Sequence, residues 1–193
     1  NPQNGNALWR NEEGLLTENY GEARRINAGS PEPLWTGGFN TELSWKGISL
    51  GIQLEARYGN KVLNQDRSLF EADGSYGDSN IWKGAMNYWK KPGDTNVLPK
   101  PVYNNSSNSS AISTRYLEDG SYLRIKDITL AYSLPSKWTK KALMSGVRIY
   151  ASALNLYTFH NMNYWDPEHG TSGATIISYP MTRSMIVGVD ITF

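Results

Sequence analysis

Two histidines, a few carboxylates and an excess of aromatic rings are the groups whose types and spacing could do chemistry. His160 and His169 bracket Asp166 and Glu168. Nitrogen and oxygen donors suit zinc, but this spacing fits no known ligand pattern, so solvated loop residues are expected. Glu71, Asp73 and Asp78, with Gly74 and Gly77, carry the oxygen donors that calcium takes. They lack the spacing of a full calcium loop. Glu42, Glu55 and Arg57 have no partner at catalytic spacing. The chain has no cysteine, which excludes disulfides, thiol catalysis and Cys-based zinc. No phosphate-binding or dinucleotide loop is present. The expectation is therefore no enzyme, no metal and no cofactor. A net charge of +1 gives no case for nucleic acid.

The rings point to binding. There are 7 Trp and 12 Tyr against 4 Phe, a bias toward rings with a polar handle. Such rings suit membrane–water boundaries and carbohydrate surfaces. Trp82, Tyr88, Trp89, Tyr164 and Trp165 lie in loop-like stretches and are candidate substrate or lid contacts, packing within the loop being the competing use. Asp166-Pro167-Glu168 reads as a rigid turn.

The elements that must position these groups are strands. Along residues 183–193, Met185, Val187, Val189, Ile191 and Phe193 alternate with Ser184, Gly188, Asp190 and Thr192, with Ile186 off-pattern. A period of two means one apolar and one polar face. A strand expected at 48–59 alternates most cleanly, from Ile48 to Tyr58, and one at 34–46 precedes it across Lys46-Gly47, a turn glycine favours. Two further strands are expected near 120–134 and 147–159. In the first, Tyr122, Ile128, Leu130, Tyr132 and Leu134 share parity while Leu123 and Ile125 break it, which suggests a bulge near Lys126-Asp127 or an end packed on both sides. In the second the parity is ambiguous. Residues 1–26 read as loop. Ser79 is expected to cap a short helix over 80–91, where Ile81, Trp82, Ala85, Met86 and Trp89 recur on one helical face.

About five antiparallel strands thus alternate short connections with long ones at 60–119 and 160–182. Membrane barrels show this asymmetry, with short periplasmic turns and long outer loops. No apolar run is long enough for a transmembrane helix, but barrel strands need only about ten residues. Five strands cannot close a barrel, so the expected fold is all-β: the C-terminal strands of a large transmembrane β-barrel, with more polypeptide or another chain supplying the rest. The chain opens Asn1-Pro2-Gln3, without methionine or signal peptide, and is expected to be processed or partial. Trp35, Trp45 and Trp138 are candidates for the interfacial girdle, and Glu42, Glu55 and Arg57 for lumen-facing positions. A secreted soluble β-sandwich that binds carbohydrate is the alternative, since it shares the alternation and the rings.

Gly120-Ser-Tyr-Leu-Arg-Ile-Lys-Asp-Ile-Thr-Leu-Ala-Tyr-Ser-Leu-Pro135 resembles a segment of the SusC/RagA family of TonB-linked outer-membrane transporters. So do Val147 to Phe159, Tyr164-Trp-Asp-Pro-Glu168, Tyr179-Pro180 with the strand ending in Phe193, Pro31 to Asn40, Tyr58-Gly-Asn60 and Trp89 to Pro99. The likeness runs from about 27 to 193. It implies a 22-stranded barrel with an N-terminal plug, in the outer membrane with its loops outside. It implies import of oligosaccharides (glycans) or peptides under a SusD-like lipoprotein, driven by TonB through the plug. The plug is not among these residues. Met185, Val187, Val189, Ile191 and Phe193 would then face lipid, and Ser184, Gly188, Asp190 and Thr192 the lumen. Phe193 would be read by the barrel-insertion machinery.

Overall fold

The computed structural model describes residues 1–77, 80–168, 173–175, 179 and 181–193. In chain order the elements are β1 (Trp9–Arg10), β2 (Leu16–Thr17), β3 (Trp35–Trp45), β4 (Ile48–Tyr58), β5 (Lys61–Asn64), α1 (Gln65–Glu71), β6 (Leu117–Asp119), β7 (Tyr122–Ser133), α2 (Ser136–Thr139), β8 (Gly146–His160), β9 (Ala174–Thr175) and β10 (Ser184–Thr192). They fall into two compact units. One comprises Asn1–Gly29, Leu63–Leu117 and Ala174–Ile177; the other comprises Ser30–Val62, Glu118–Gly173 and Ser178–Phe193.

The second unit is built on a five-stranded antiparallel sheet in the order β10-β8-β7-β4-β3. Lys46 (φ 47°) and Gly47 (φ 86°) join β3 to β4. Positive φ at both turn residues is what a two-residue hairpin needs to match strand twist. The turn sets the register, Trp45 opposite Ile48 and Leu43 opposite Leu50. From there the rows run across the sheet. Leu43, Leu50, Leu130, Ala151 and Val187 form one; Trp45, Ile48, Tyr132, Ile149 and Val189 form another.

A bulge interrupts the middle of the sheet. Between Gln53 and Leu54 on β4 the chain takes one step, between Ile125 and Asp127 on β7 two, and between Leu154 and Tyr157 on β8 three. Asn155 takes up the excess on β8 at φ 50°. An extra residue flips the parity of everything beyond it. Leu123 and Ile125 thereby join the apolar face with Ile128 and Leu130. Tyr122 moves to the polar face opposite Arg57, away from the residues whose parity it shares in the sequence. The same register resolves β8: Ile149, Ala151, Ala153, Tyr157 and Phe159 lie on the apolar face.

Nothing in this unit covers the apolar face among the described residues. Leu43 is 62% exposed, Leu130 53%, Met185 82% and Val187 79%. A sandwich would bury that face under a second sheet. From the Trp35–Tyr58 row to the Trp45–Ile48 row is ten residue steps. At ~3.3 Å each, and at the tilt of ~40° usual in membrane barrels, that is about 25 Å, the height of a barrel's apolar band. Aromatic residues stand at both ends, Trp45 and Tyr132 at one, Trp35, Tyr58 and Phe159 at the other. No helix among the described residues is long and apolar enough to cross a membrane, which says nothing about a barrel.

The first unit holds short pieces. β1 and β2 pair antiparallel around a turn at 11–14, where a plain loop is expected from sequence. α1 is an unexpected helix. The Asn64 side chain caps it by accepting from the Arg67 N–H at 3.1 Å, and Arg67 pairs with Glu71 one turn on at 2.8 Å. The helix expected over 80–91 does not form. Only a 3-10 turn at Lys83–Met86 appears. Backbone bonds from Trp89 N–H to Leu98 C=O and from Leu98 N–H to Asn87 C=O, both 2.9 Å, take the groups the helix would have used. Its expected cap, Ser79, lies outside the described residues.

Candidate functional site

The polar face of the sheet carries a charged cluster that the bulge assembles. Gln53 faces Asp127, Glu55 faces Arg124 and Arg57 faces Tyr122 in register. Lys126, the extra residue, also reaches this side, meeting Glu55 at 3.1 Å and Glu168 at 3.0 Å. Bulges re-aim side chains in this way. The Tyr122 hydroxyl donates to Glu55 Oε1 at 2.7 Å. Further along, Asp127 accepts from Thr129 Oγ1 at 2.7 Å and Ser152 Oγ at 2.9 Å.

At the centre is Arg124, with no solvent exposure. Its Nε donates to Thr158 Oγ1 at 2.8 Å, Nη1 to Glu168 and Nη2 to both oxygens of Asp166. A buried guanidinium is tolerable only when its donors are used in this manner. Asp166-Pro167-Glu168 is thus more than a turn. The buried proline sets two carboxylates on one cation, and the Glu168 N–H also returns to Asp166 Oδ1 at 3.0 Å. Asp166 and Glu168 are therefore ion-pair partners and not the solvated loop residues expected. No group of metal-ligating residues occurs among the described residues. His160 ends β8 opposite Tyr122, and His169 lies outside the described residues. Glu71 and Asp73, the calcium candidates, are both taken by Arg115; Asp78 is outside the described residues.

The candidate aromatic contacts are dispersed. Trp82 packs at 4.9 Å on Phe70, and Tyr88 bridges to Leu98. The Trp89 indole N–H donates to Pro2 C=O at 3.0 Å. These three are half-buried and pack the first unit. In the second unit Tyr164 is exposed at φ 67°, and Trp165 is half-buried beside Asn163, which Glu118 holds at 2.6 Å. On β10, Met185, Val187, Val189 and Ile191 share the apolar face with Ala153, Ala151, Ile149 and Val147. Ser184, Gly188 and Asp190 share the other with Leu154, Tyr150 and Arg148, and Thr192 follows opposite Gly146. Gly188 leaves room for the Tyr150 ring, since a Cβ there would sit 2.5 Å from it and would oblige the ring to shift. Phe193 follows the strand and is exposed.

The first unit contains a concavity that sequence reading missed. It has a volume of about 1200 Å³, and its lining includes Trp9, Tyr20, Arg10, Arg24, Arg25 and Trp89. Trp9 and Tyr20 meet edge to face, with centroids 5.0 Å apart. The 3-10 turn Tyr20–Glu22 brings the chain back so that the Arg24 N–H donates to the Arg10 C=O at 2.9 Å. Residues 1–26 lack any period, so only the folded backbone shows this return.

No family model matches the chain. It is 31% identical over 182 residues to TonB-dependent receptor P3 of Formosa agariphila, covering 89% of this chain and 17% of the relative. TonB-dependent receptor P26 of the same organism is 27% identical over 179 residues, covering 86% and 17%. The chain thus spans about 17% of the length of the curated relatives it matches. Among solved structures, the RagAB peptide transporter matches with a TM-score of 0.83 and 28% identity, over 100% of this chain and 22% of that one. The RagAB peptide importer in its open-open state matches with a TM-score of 0.80 and 26% identity, over 100% and 21%. The relatives are transporters and receptors, not enzymes. An uncovered apolar sheet face, a charged opposite face and these matches agree, and the chain is similar over nearly all its length to a segment of TonB-dependent receptors and of the RagAB transporter.

Proposed function

We propose that this segment forms part of the wall and outer loops of an importer for peptides. β3, β4, β7, β8 and β10 stand in the outer membrane with Met185, Val187, Val189 and Ile191 toward lipid. Ser184, Gly188, Asp190 and Thr192 face the lumen, as does the Arg124 cluster. Phe193 serves barrel insertion. The turns at Lys46-Gly47 and Pro135–Gly146 are periplasmic, and the long loops 60–119 and 160–182 lie outside the cell. The rest of the barrel, a plug that meets TonB and a SusD-like lipoprotein lid complete the machine.

The carrying observation is the uncovered apolar face of about 25 Å, a membrane band's height, with aromatic residues at both ends. It argues against the soluble sandwich, which would have to leave that face in water. Peptide is preferred to oligosaccharide because RagAB, similar over the whole chain, is a peptide transporter. The rings of the first unit also make a poor sugar platform: Trp9 and Tyr20 stand at 65° to each other, and the Trp89 N–H is already used.

The test is uptake by cells carrying the full receptor. A labelled oligopeptide should enter, and entry should stop on loss of TonB or of the partner lipoprotein. Uptake of a labelled oligosaccharide in place of the peptide would overturn the cargo assignment. Uptake indifferent to TonB would overturn the mechanism.

A further inference from the structure

The first unit leaves three arginines without a carboxylate partner, while Glu18, Glu22 and Asp94 are held by neutral donors, and Glu12 and Glu13 lie exposed in the β1–β2 turn, off the cavity lining. Glu18 accepts from the side-chain amides of Asn1 at 2.7 Å, Asn4 at 2.8 Å and Asn6 at 2.7 Å. Glu22 accepts from Thr17 Oγ1 at 2.7 Å and Asn19 Nδ2 at 3.1 Å. Asp94 accepts the backbone N–H groups of Lys90 and Lys91 at 3.0 and 3.1 Å. Neutral donors hold all three of these acids ionised: Glu18 is brought down to about 2, and Glu22 and Asp94 lie below their usual range. Arg115, also on the lining, is spent on Asp73 and Glu71.

Arg10, Arg24 and Arg25 remain. All are exposed, all line the cavity of about 1200 Å³, and no described carboxylate pairs with them. Arg10 makes one side-chain bond, to the Gly14 C=O at 3.1 Å. The 2.9 Å bond from Arg24 N–H to Arg10 C=O sets two of them on adjacent stretches of chain. Three like charges gathered beside one concavity repel each other, and an anion relieves that repulsion. Guanidinium forks match carboxylates in particular.

We propose that this cavity selects acidic peptides, with Arg10, Arg24 and Arg25 receiving Asp or Glu side chains and Trp9 and Tyr20 packing against the adjacent apolar part of the cargo. The inference rests on the peptide-importer reading and gives its cargo a charge. A neutral peptide enters the same cavity without the ionic contribution. Because the arginines are exposed, that contribution is sensitive to salt.

The experiment uses the purified full receptor in detergent and a fluorescent peptide of about ten residues rich in Asp and Glu. Its isosteric Asn/Gln version is the control, with binding read by polarisation at low and high salt. Wild type should bind the acidic peptide on the order of tenfold more tightly, with the margin shrinking at high salt. The triple variant Arg10→Gln, Arg24→Gln, Arg25→Gln should bind both peptides equally, with the neutral one unchanged, which shows that the fold survives. Arg10→Lys, Arg24→Lys, Arg25→Lys should keep part of the preference. Equal binding of both peptides by wild type, or a preference that persists in the triple Gln variant, would overturn the inference and leave the importer reading standing. Binding of an oligouronate with no peptide binding at all would overturn both.

Discussion

Arg124 is fully buried, and Asp166, 42 residues further along the chain, places both its carboxylate oxygens on the guanidinium. Glu168 takes a second edge of the same group. One strand residue therefore pins the whole Asp166-Pro167-Glu168 stretch to the polar face of the sheet. Arg124→Gln should detach it. Breaking a buried ion pair costs about 3–5 kcal/mol, and the lower end is expected because water can reach the two freed carboxylates. Limited proteolysis of the intact receptor should show new cleavage within 161–168. Combining Arg124→Gln with Asp166→Asn should cost less than the sum of the two changes, as for any pair in direct contact.

The two faces of the sheet should differ in their tolerance of charge. Ile52 lies midway along the apolar band, opposite Thr41 and Ile128, while Gln53 next to it faces Asp127 on the other side. Ile52→Arg should destabilise the folded barrel in a bilayer by about 2–4 kcal/mol. Gln53→Arg should cost well under half of that. Urea unfolding in vesicles measures both, and equal costs would mean that the apolar face does not meet lipid.

The β3–β4 hairpin gives a local test. Gly47 has φ 86°, and a Cβ there would lie 2.8 Å from the Ser133 C=O. Gly47→Ala should cost about 1–2 kcal/mol through left-handed backbone strain, beyond any clash. Gly51→Ala on β4 is the control, since its added Cβ would meet nothing closer than 3.9 Å. The measurement is the midpoint of thermal unfolding of the receptor with each change.

Acid should loosen the N-terminal segment that Glu18 ties together. Glu18 has its pKa lowered from 4.5 to about 2, first by Asn6, then by Asn4 and Asn1. A depressed carboxylate pKa contributes stability above the unfolded value, and that stability is lost as pH falls through the folded value. The tie should hold at pH 5 and above and weaken from about pH 4.5 down to about 2. Hydrogen exchange at residues 4–7 should accelerate over that window. Glu18→Gln should give fast exchange at these residues already at pH 7.

Much of the sheet can be read along the chain because each of its strands is carried by a local period. Ile48 to Tyr58 alternates without fault, Lys46-Gly47 has the chemistry of its turn, and Met185 to Ile191 sorts into two faces. Even the bulge near Lys126 shows as a break in parity, although which side Tyr122 takes does not. Residues 81–89 show the limit of such reading. Their spacing is helical, yet Leu98 offers the backbone of Asn87 and Trp89 a partner from outside the window.

What sequence by itself determined is therefore the period-two faces, the hairpin and the all-β class, since each depends on neighbours within a few residues. Tertiary structure alone decided what those faces hold. Arg124 meets Asp166 and Glu168 only because β7 and β8 are paired with a bulge between them. Arg10 and Arg24 come together only through the turn at Tyr20–Glu22, and Arg115 is removed from the charge balance by Asp73, which lies 42 residues before it. Electrostatic partners act through space, at separations where the chain carries no period, and so they become visible only once the backbone is folded.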